Sequence, residues 1–220
     1  LLIIDDVSMI FWRPEGPFRA LSEVSLSIHP QEFVVVTGPV GAGKSLLLSL
    51  AAGLIQPSAG TVWVDGVDIY GQSRRYRDQL RLTRIGYVPQ FPMMIKRLSV
   101  MKNLLLHVPW RLRVVVQERA QALLEDVGLA AKSTWQVGEL SAGEAQLVSL
   151  VRALALKPEV LLADAPTSLL DQQTSAKVVE ALRDYHLRGG SLLIASNDPR
   201  IGEAATRVYR LQSGSLFSAS

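Results

Sequence analysis

The chain has 220 residues, of which 48% are hydrophobic and 20% charged, and it contains no cysteine. That composition excludes a wholly disordered chain, a disulfide-stapled scaffold and a thiolate metal site. The formal net charge of +3 suits an anionic ligand or a membrane surface but is too small to mark a nucleic-acid binder. No apolar run of about 18 residues occurs, so no bilayer-spanning helix is expected. Leu1–Asp6 has neither the basic region nor the cleavage site of a signal peptide.

Residues 1–12 and 22–28 read as strands. The second, Ser22-Glu23-Val24-Ser25-Leu26-Ser27-Ile28, alternates polar and apolar as a half-buried strand does, and Pro14, Gly16 and Pro17 mark the turn between the two. Glu32 to Leu50 carries the strongest signal. Phe33–Val36 is a short apolar strand, Gly38-Pro39-Val40-Gly41-Ala42-Gly43-Lys44-Ser45 fits G-x-x-x-x-G-K-S/T, and Leu46–Leu50 begins a helix expected to stop near Gly53. Strand, glycine-rich loop and helix are the setting of a phosphate-binding loop. The glycines let the backbone curl so that its N–H groups converge on an anion, and the helix start adds partial positive charge. Lys44 is placed to reach the β- and γ-phosphates, and Ser45 to offer its hydroxyl to Mg²⁺. Gln56–Gly60 is a loop, Thr61–Val64 a strand and Asp65-Gly66 a tight turn, which predicts an antiparallel sheet beside the phosphate loop.

Arg74, Arg75, Arg77, Arg81 and Arg84 crowd one polar stretch, either as a solvated helix face or as a contact for an acidic partner or lipid headgroups. Ile85–Val88 is a strand running into Pro89 and Gln90. Residues 91–110 are rich in apolar side chains (Phe91, Met93, Met94, Ile95, Leu98, Val100), as either core or a docking surface. A helix is predicted over 114–127, with Val115, Ala122, Leu123 and Val127 near one face and Gly128 as its stop. Ser141 with Glu144 three residues on forms a capping box, opening a helix that runs to about Leu156. Val160–Asp164 is a buried strand ending in a carboxylate, 172–186 a helix stopped by Gly189-Gly190, Ser191–Ala195 another buried strand, and Val208–Ser218 a hairpin turning at Ser213-Gly214. Strands followed by helices imply a largely parallel sheet.

Taken together, these residues resemble the ATP-binding cassette ATPases over essentially the whole chain. Gly38–Ser45 resembles the family's Walker A loop, Gln90 its Q-loop glutamine, Leu140-Ser141-Ala142-Gly143-Glu144 its LSGGQ signature, Leu161–Asp164 its Walker B strand, Ser168-Leu169-Leu170-Asp171 its D-loop, and Ser196-Asn197-Asp198 its switch-histidine segment. The resemblance implies an α/β fold: a P-loop NTPase (RecA-like) core with a mainly parallel sheet, an antiparallel β subdomain and an inserted α-helical subdomain. It implies one nucleotide-binding domain over 1–220, with core and β subdomain at 1–90 and 155–220 and the helical subdomain at 91–154. The cofactors implied are ATP and Mg²⁺. ATP would be held by Gly38, Pro39, Gly41, Ala42, Gly43, Lys44, Ser45, Leu46, Gln90 and Asp164, with Phe11 (or Trp12) stacking on adenine, and the metal by Ser45, Gln90 and Asp164. Ser141, Gly143 and Glu144 would face ATP bound by a second cassette paired head to tail, in a hetero- or homodimer. Transmembrane transporter subunits would dock near 91–110 at the cytoplasmic face of a membrane. No nucleic acid is expected, because the long coiled-coil insertions of the chromosome cassettes are missing.

The chain departs from the family pattern at the catalytic positions. The family's Glu after the Walker B Asp is Ala165 here, its switch His is Asn197, and the Thr following Lys-Ser is Leu46. A methyl group accepts no proton, and a carboxamide carries no positive charge. The expectation is a site that binds Mg-ATP and hydrolyses it slowly or not at all, Ala165 being natural or engineered. The implied role is the ATP-binding subunit of a membrane transport complex; the alternative is a regulatory ATP-binding switch of an envelope or cell-division complex, working as a homodimer.

Overall fold

The computed structural model describes residues 1–168 and 170–219. Along the chain lie β1 (Leu2–Arg13), β2 (Gly16–Ile28), β3 (Phe33–Thr37), α1 (Lys44–Ala51), β4 (Ala59–Val64), β5 (Val67–Asp68), α2 (Arg74–Thr83), β6 (Ile85–Val88), α3 (Val100–Leu105) and α4 (Arg113–Asp126). They continue with α5 (Ala142–Leu154), β7 (Val160–Asp164), α6 (Gln172–Leu187), β8 (Ser191–Ala195), α7 (Pro199–Glu203), β9 (Arg207–Gln212) and β10 (Ser215–Ala219).

Two sheets result. The larger has the order β10-β9-β3-β8-β7-β6, parallel throughout except for β10, which runs against β9. The smaller, β2-β1-β4-β5, is antiparallel. The central strands of the large sheet are buried on both faces, which is why they read as unbroken apolar runs rather than alternating ones. Phe33, Val35, Leu161, Ala163, Leu192 and Ile194 point into one core, shared with Val100 and Leu104 of α3, Leu124 of α4 and Leu147 of α5. Their neighbours Val34, Val36, Val160, Leu162, Leu193 and Ala195 enter a second core, closed by Leu47, Leu48 and Leu50 of α1 and the inner face of the antiparallel sheet.

Several elements differ from the sequence expectation. β2 starts at Gly16, not Ser22, and the turn is confined to Pro14 and Glu15. Pro17 is tolerated opposite Trp12 because β2 is the edge of its sheet, where a proline need not interrupt a ladder. On α4 the inward residues are Val116, Ala120 and Leu124, while Val115 is 44% exposed. Of the expected face, Val127 is buried and Leu123 packs against the core, while Val115 and Ala122 turn outward, because Val114-Val115-Val116 offers three apolar registers and packing selects the last. α5 ends at Leu154, within two residues of the expected end, and α7 is an element beyond those expected.

The 91–110 segment is both core and surface. Val100 and Leu104 are buried, whereas Phe91 is 62% and Met93 77% exposed. Asn103, itself buried, accepts from the Ile95 N–H (2.8 Å) and donates to the carbonyls of Ile95, Leu98 and Ser99, so one amide holds the loop ahead of α3.

The arginine cluster fits neither expected role as a whole. Arg74 and Arg75 are exposed. Arg77 donates to the carbonyls of Ile69 and Gln72, Arg81 to those of Ala52 and Gly53, and Arg84 bridges Asp65 and Glu159. Three of these guanidinium groups therefore serve the fold, and Arg81 satisfies carbonyls that the end of α1 leaves without partners.

Candidate functional site

The loop from Gly38 to Gly43 joins β3 to α1. Gly38, Gly41 and Gly43 have φ of 147°, 80° and 104°. Gly38 has no alternative, because a Cβ there would lie 2.1 Å from the Leu211 carbonyl oxygen. Gly43 caps α1, with no side-chain cap and no acidic residue in the first turn. The N–H groups at the start of that helix are thus claimed by no side chain, an arrangement suited to an anion.

Lys44 folds back over the loop, where its Nζ donates to the carbonyls of Gly38 (2.7 Å) and Pro39 (2.9 Å). Burial lowers its pKa, partly offset by the Asp164 carboxylate. Asp164 ends β7 and is 6% exposed. Burial pushes its carboxyl pKa up, opposed by the neighbouring Ser45 hydroxyl and the charge of Lys44. The structure therefore brings Lys44, Ser45 and Asp164 together, although Asp164 is far from the other two in sequence. Ser49 and Tyr87 also belong to this neighbourhood: burial raises the Tyr87 pKa, the Ser49 hydroxyl opposes that, and the Asp164 charge adds to it. No local sequence signal distinguishes Tyr87 as a neighbour of Asp164, since its strand is placed there by the sheet.

Among the described residues no cluster of three or more His, Asp or Glu gathers around a metal position. A hydroxyl and a carboxylate, both hard oxygen donors, fit a Mg²⁺ that takes its remaining ligands from phosphate and water. The glycine cradle and the unclaimed helix amides fit a polyphosphate.

The other expected site residues are distributed as follows. Ala42 is buried, Pro39 is exposed and Leu46 packs at the margin of the second core. Gln90 follows β6 and is half-buried; Gln146 of α5 donates to the neighbouring Pro89 carbonyl (3.3 Å), tying that helix to the Gln90 segment. Phe11 lies near the β1–β2 turn, opposite Phe18, over whose ring Arg13 stacks at 3.8 Å. Trp12 beside it is 83% exposed.

Ser141 caps α5. Its hydroxyl accepts from the Glu144 N–H (3.2 Å), and Glu144 accepts from the Ser141 N–H (3.0 Å), as the capping box predicts. The other Glu144 oxygen meets Lys132 Nζ at 2.6 Å, a partner that sequence spacing does not reveal. That hydrogen bond, with those at Ser141, holds the Glu144 carboxyl below its usual pKa. Gly143 allows α5 to approach α6 closely, since a Cβ would come within 2.9 Å of Thr174 Cγ2. Asp171 caps α6 by accepting from the Thr174 N–H at 2.9 Å. Leu169 of the same expected motif lies outside the described residues.

Ala165 follows Asp164 with φ of 42°. Its N–H donates to the Ala195 carbonyl (2.8 Å), and its own carbonyl accepts from both the N–H (3.0 Å) and the hydroxyl (2.8 Å) of Ser168. Asn197 follows β8. Its Oδ1 accepts from the Gly38 N–H at 3.0 Å and its Nδ2 donates to the Gly38 carbonyl at 2.9 Å. The sequence marks Asn197 only as the place of an absent histidine; this double contact appears only in the fold.

Comparison with known proteins agrees with this geometry. A family model described as ABC transporter matches residues 21–168. The chain is 39% identical over 207 residues to the lipoprotein-releasing system ATP-binding protein LolD of Bordetella pertussis, covering 92% of this chain and 90% of that one. It is 37% identical over 214 residues to LolD of Coxiella burnetii, covering 94% and 91%. It superposes with a TM-score of 0.89 at 27% identity on a dimeric post-hydrolysis structure of the ATP-binding cassette MJ0796 bound to ADP and Pi, covering 98% of this chain and 96% of that one. Sequence and fold agree along nearly the whole length, and the chain belongs to the ABC transporter family as one of its ATP-binding cassettes.

Proposed function

We propose that this cassette grips Mg-ATP at the Gly38–Ser45 loop and hydrolyses it slowly or not at all. The observation that carries the reading is the pair Asp164–Ala165. The carboxylate is buried beside Ser45 and Lys44, while the next residue, where a proton acceptor would serve hydrolysis, ends in a methyl group on a backbone held at both its N–H and its carbonyl.

The chain's own groups divide the work. The α1 amides and the loop N–H groups take the phosphate oxygens. Lys44 exchanges two backbone carbonyls for phosphate. Ser45 and Asp164 would hold Mg²⁺, with Gln90 at the same metal, and the ion supplies neutralisation of phosphate charge. Phe11 is the surface for the adenine ring. Nothing at Ala165 removes a proton from water, and a positioned base contributes about 10²–10⁴-fold.

The signature is better kept than this catalytic pair. Ser141 and Gly143 start a capped helix, and Lys132 neutralises Glu144 beside them, so that end of α5 suits the γ-phosphate of ATP bound by a second cassette set head to tail. The complex is completed by transmembrane subunits seated near the exposed Phe91, Met93 and Ile95 at the cytoplasmic face. No described helix is long and apolar enough to cross a membrane.

Calorimetric titration with Mg-ATP, together with phosphate release by the chain alone and by the purified complex, tests this. Saturable binding with little turnover by the chain alone is expected. Absence of binding overturns the grip, and fast turnover by the unmodified chain overturns the loss of hydrolysis. Purification without a multispanning partner, as a homodimer, points instead to a regulatory switch.

A further inference from the structure

We propose that Asn197 is a positioning residue for the phosphate loop, its carboxamide holding the Gly38 peptide by both of that residue's polar groups. The inference rests on reading that loop as the nucleotide cradle. β3 and β8 pair in parallel as far as Val36 and Ala195, and the Ser196 N–H still donates to the Val36 carbonyl (3.1 Å). There the chain leaves the sheet. The Asn197 side chain does what a further strand residue would have done, accepting from the Gly38 N–H at 3.0 Å and donating to the Gly38 carbonyl at 2.9 Å.

Residue chemistry explains why an amide serves here. A carboxamide carries an acceptor and a donor side by side on one planar group, matching the N–H and C=O of a single residue. A neutral imidazole has one donor and one acceptor on ring positions that point apart, so a histidine cannot engage both groups of Gly38. Asn197 is therefore not merely a histidine lost; it does a different task at the same place.

The surroundings show what the task accomplishes. Gly38 is pressed on its other side by the Leu211 carbonyl, where a Cβ would come within 2.1 Å. Its own carbonyl receives both Asn197 Nδ2 and Lys44 Nζ. When Lys44 moves to a phosphate, the carbonyl keeps the Asn197 donor and is not orphaned. The turn that carries Asn197 is braced in turn: Ser196 Oγ accepts from the Asp198 N–H (3.0 Å), and the Asp198 carboxylate holds the Arg200 side chain at 2.6 Å.

This assignment separates from a γ-phosphate contact by comparing nucleotides. A residue that shapes the first turn of the loop affects ATP and ADP alike; a residue that touches the γ-phosphate affects ATP alone. The experiment measures ATP and ADP affinity of the full chain and of Asn197→Ala, Asn197→His and Asn197→Gln, with hydrogen exchange at the Gly38 amide and melting temperature alongside. The Ala and His variants are expected to weaken both nucleotides by about 10-fold, the equivalent of about 1.4 kcal/mol, and to speed Gly38 exchange. The Gln variant, which keeps the amide, is expected to lose less. Weakening confined to ATP, tighter ATP binding by the His variant, or unchanged Gly38 exchange in the Ala variant overturns the assignment. If the unmodified chain binds neither nucleotide, the cradle reading fails and Gly38 exchange alone decides the role of Asn197.

Discussion

Ala165→Glu places a proton acceptor directly after Asp164. A positioned general base is worth about 10²–10⁴-fold, or about 2.7–5.4 kcal/mol at 1.36 kcal/mol per decade. The structure trims that range. The residue sits at φ of 42°, a conformation in which a side chain costs about 1–2 kcal/mol, and alanine already bears that cost. Its N–H and carbonyl are fixed by Ala195 and Ser168, so a glutamate inherits a set Cα–Cβ direction and spends only side-chain freedom, about 1.5 kcal/mol or one decade. The expected gain is therefore about 10–10³-fold in phosphate release at saturating Mg-ATP, with Asn197 left in place. Melting temperature should stay within a few degrees. Ala165→Gln matches the shape without the proton acceptor and should remain as slow as the unmodified chain. Equal rates for the Glu and Gln variants, both with nucleotide bound stoichiometrically, would refute the claim that the missing carboxylate limits turnover.

Lys44→Ala removes a charge-assisted contact worth about 1.5–3 kcal/mol, so ATP affinity should fall about 10–100-fold in a nucleotide titration while circular dichroism stays unchanged. Asp164→Asn tests the buried carboxyl. Burial raises its folded pKa above the ordinary 3.8, so the folded state binds more protons than the unfolded in the window between the two values. Stability of the nucleotide-free protein therefore falls as pH rises through that window, and the deficit is complete above it. The Asn variant should melt higher than the unmodified chain at neutral pH, the gap should narrow as pH approaches 3.8, and the thermal shift given by Mg-ATP should shrink; scanning calorimetry across pH reads all three. Gly214→Ala places a Cβ 2.9 Å from the Ala20 carbonyl at a residue with φ of 80°, so a lower melting temperature is expected.

Much of the site was legible because its parts are local. The Gly38–Ser45 spacing, the Ser141–Glu144 cap and the apolar strand ending at Asp164 each need only a few adjacent residues to announce themselves. Contacts made across the sheet were not legible. Asn197 and Gly38 meet because β3 and β8 are neighbours, and Lys132 reaches Glu144 because the chain before α5 folds back on that helix. The start of α7 is written locally, in Asp198 as N-cap with Pro199 in the first turn. The α4 face was legible at its C-terminal end, where Leu123 and Val127 meet the core, and not at its start, where three consecutive valines leave the choice of register to tertiary packing.

One strand links places that no motif connects. At Gly43 an added Cβ would come within 2.9 Å of Leu21 and 3.0 Å of the Ala20 carbonyl, and at Gly214 it would again meet Ala20. The Ser22 N–H donates to the Gly214 carbonyl at 2.9 Å. The middle of β2 is thus wedged between the start of α1 and the bend of the C-terminal hairpin. A disturbance entering at either end has no slack to take it up, so damage to the tail is transmitted as a misfit at the start of α1, where the proposed phosphate cradle lies.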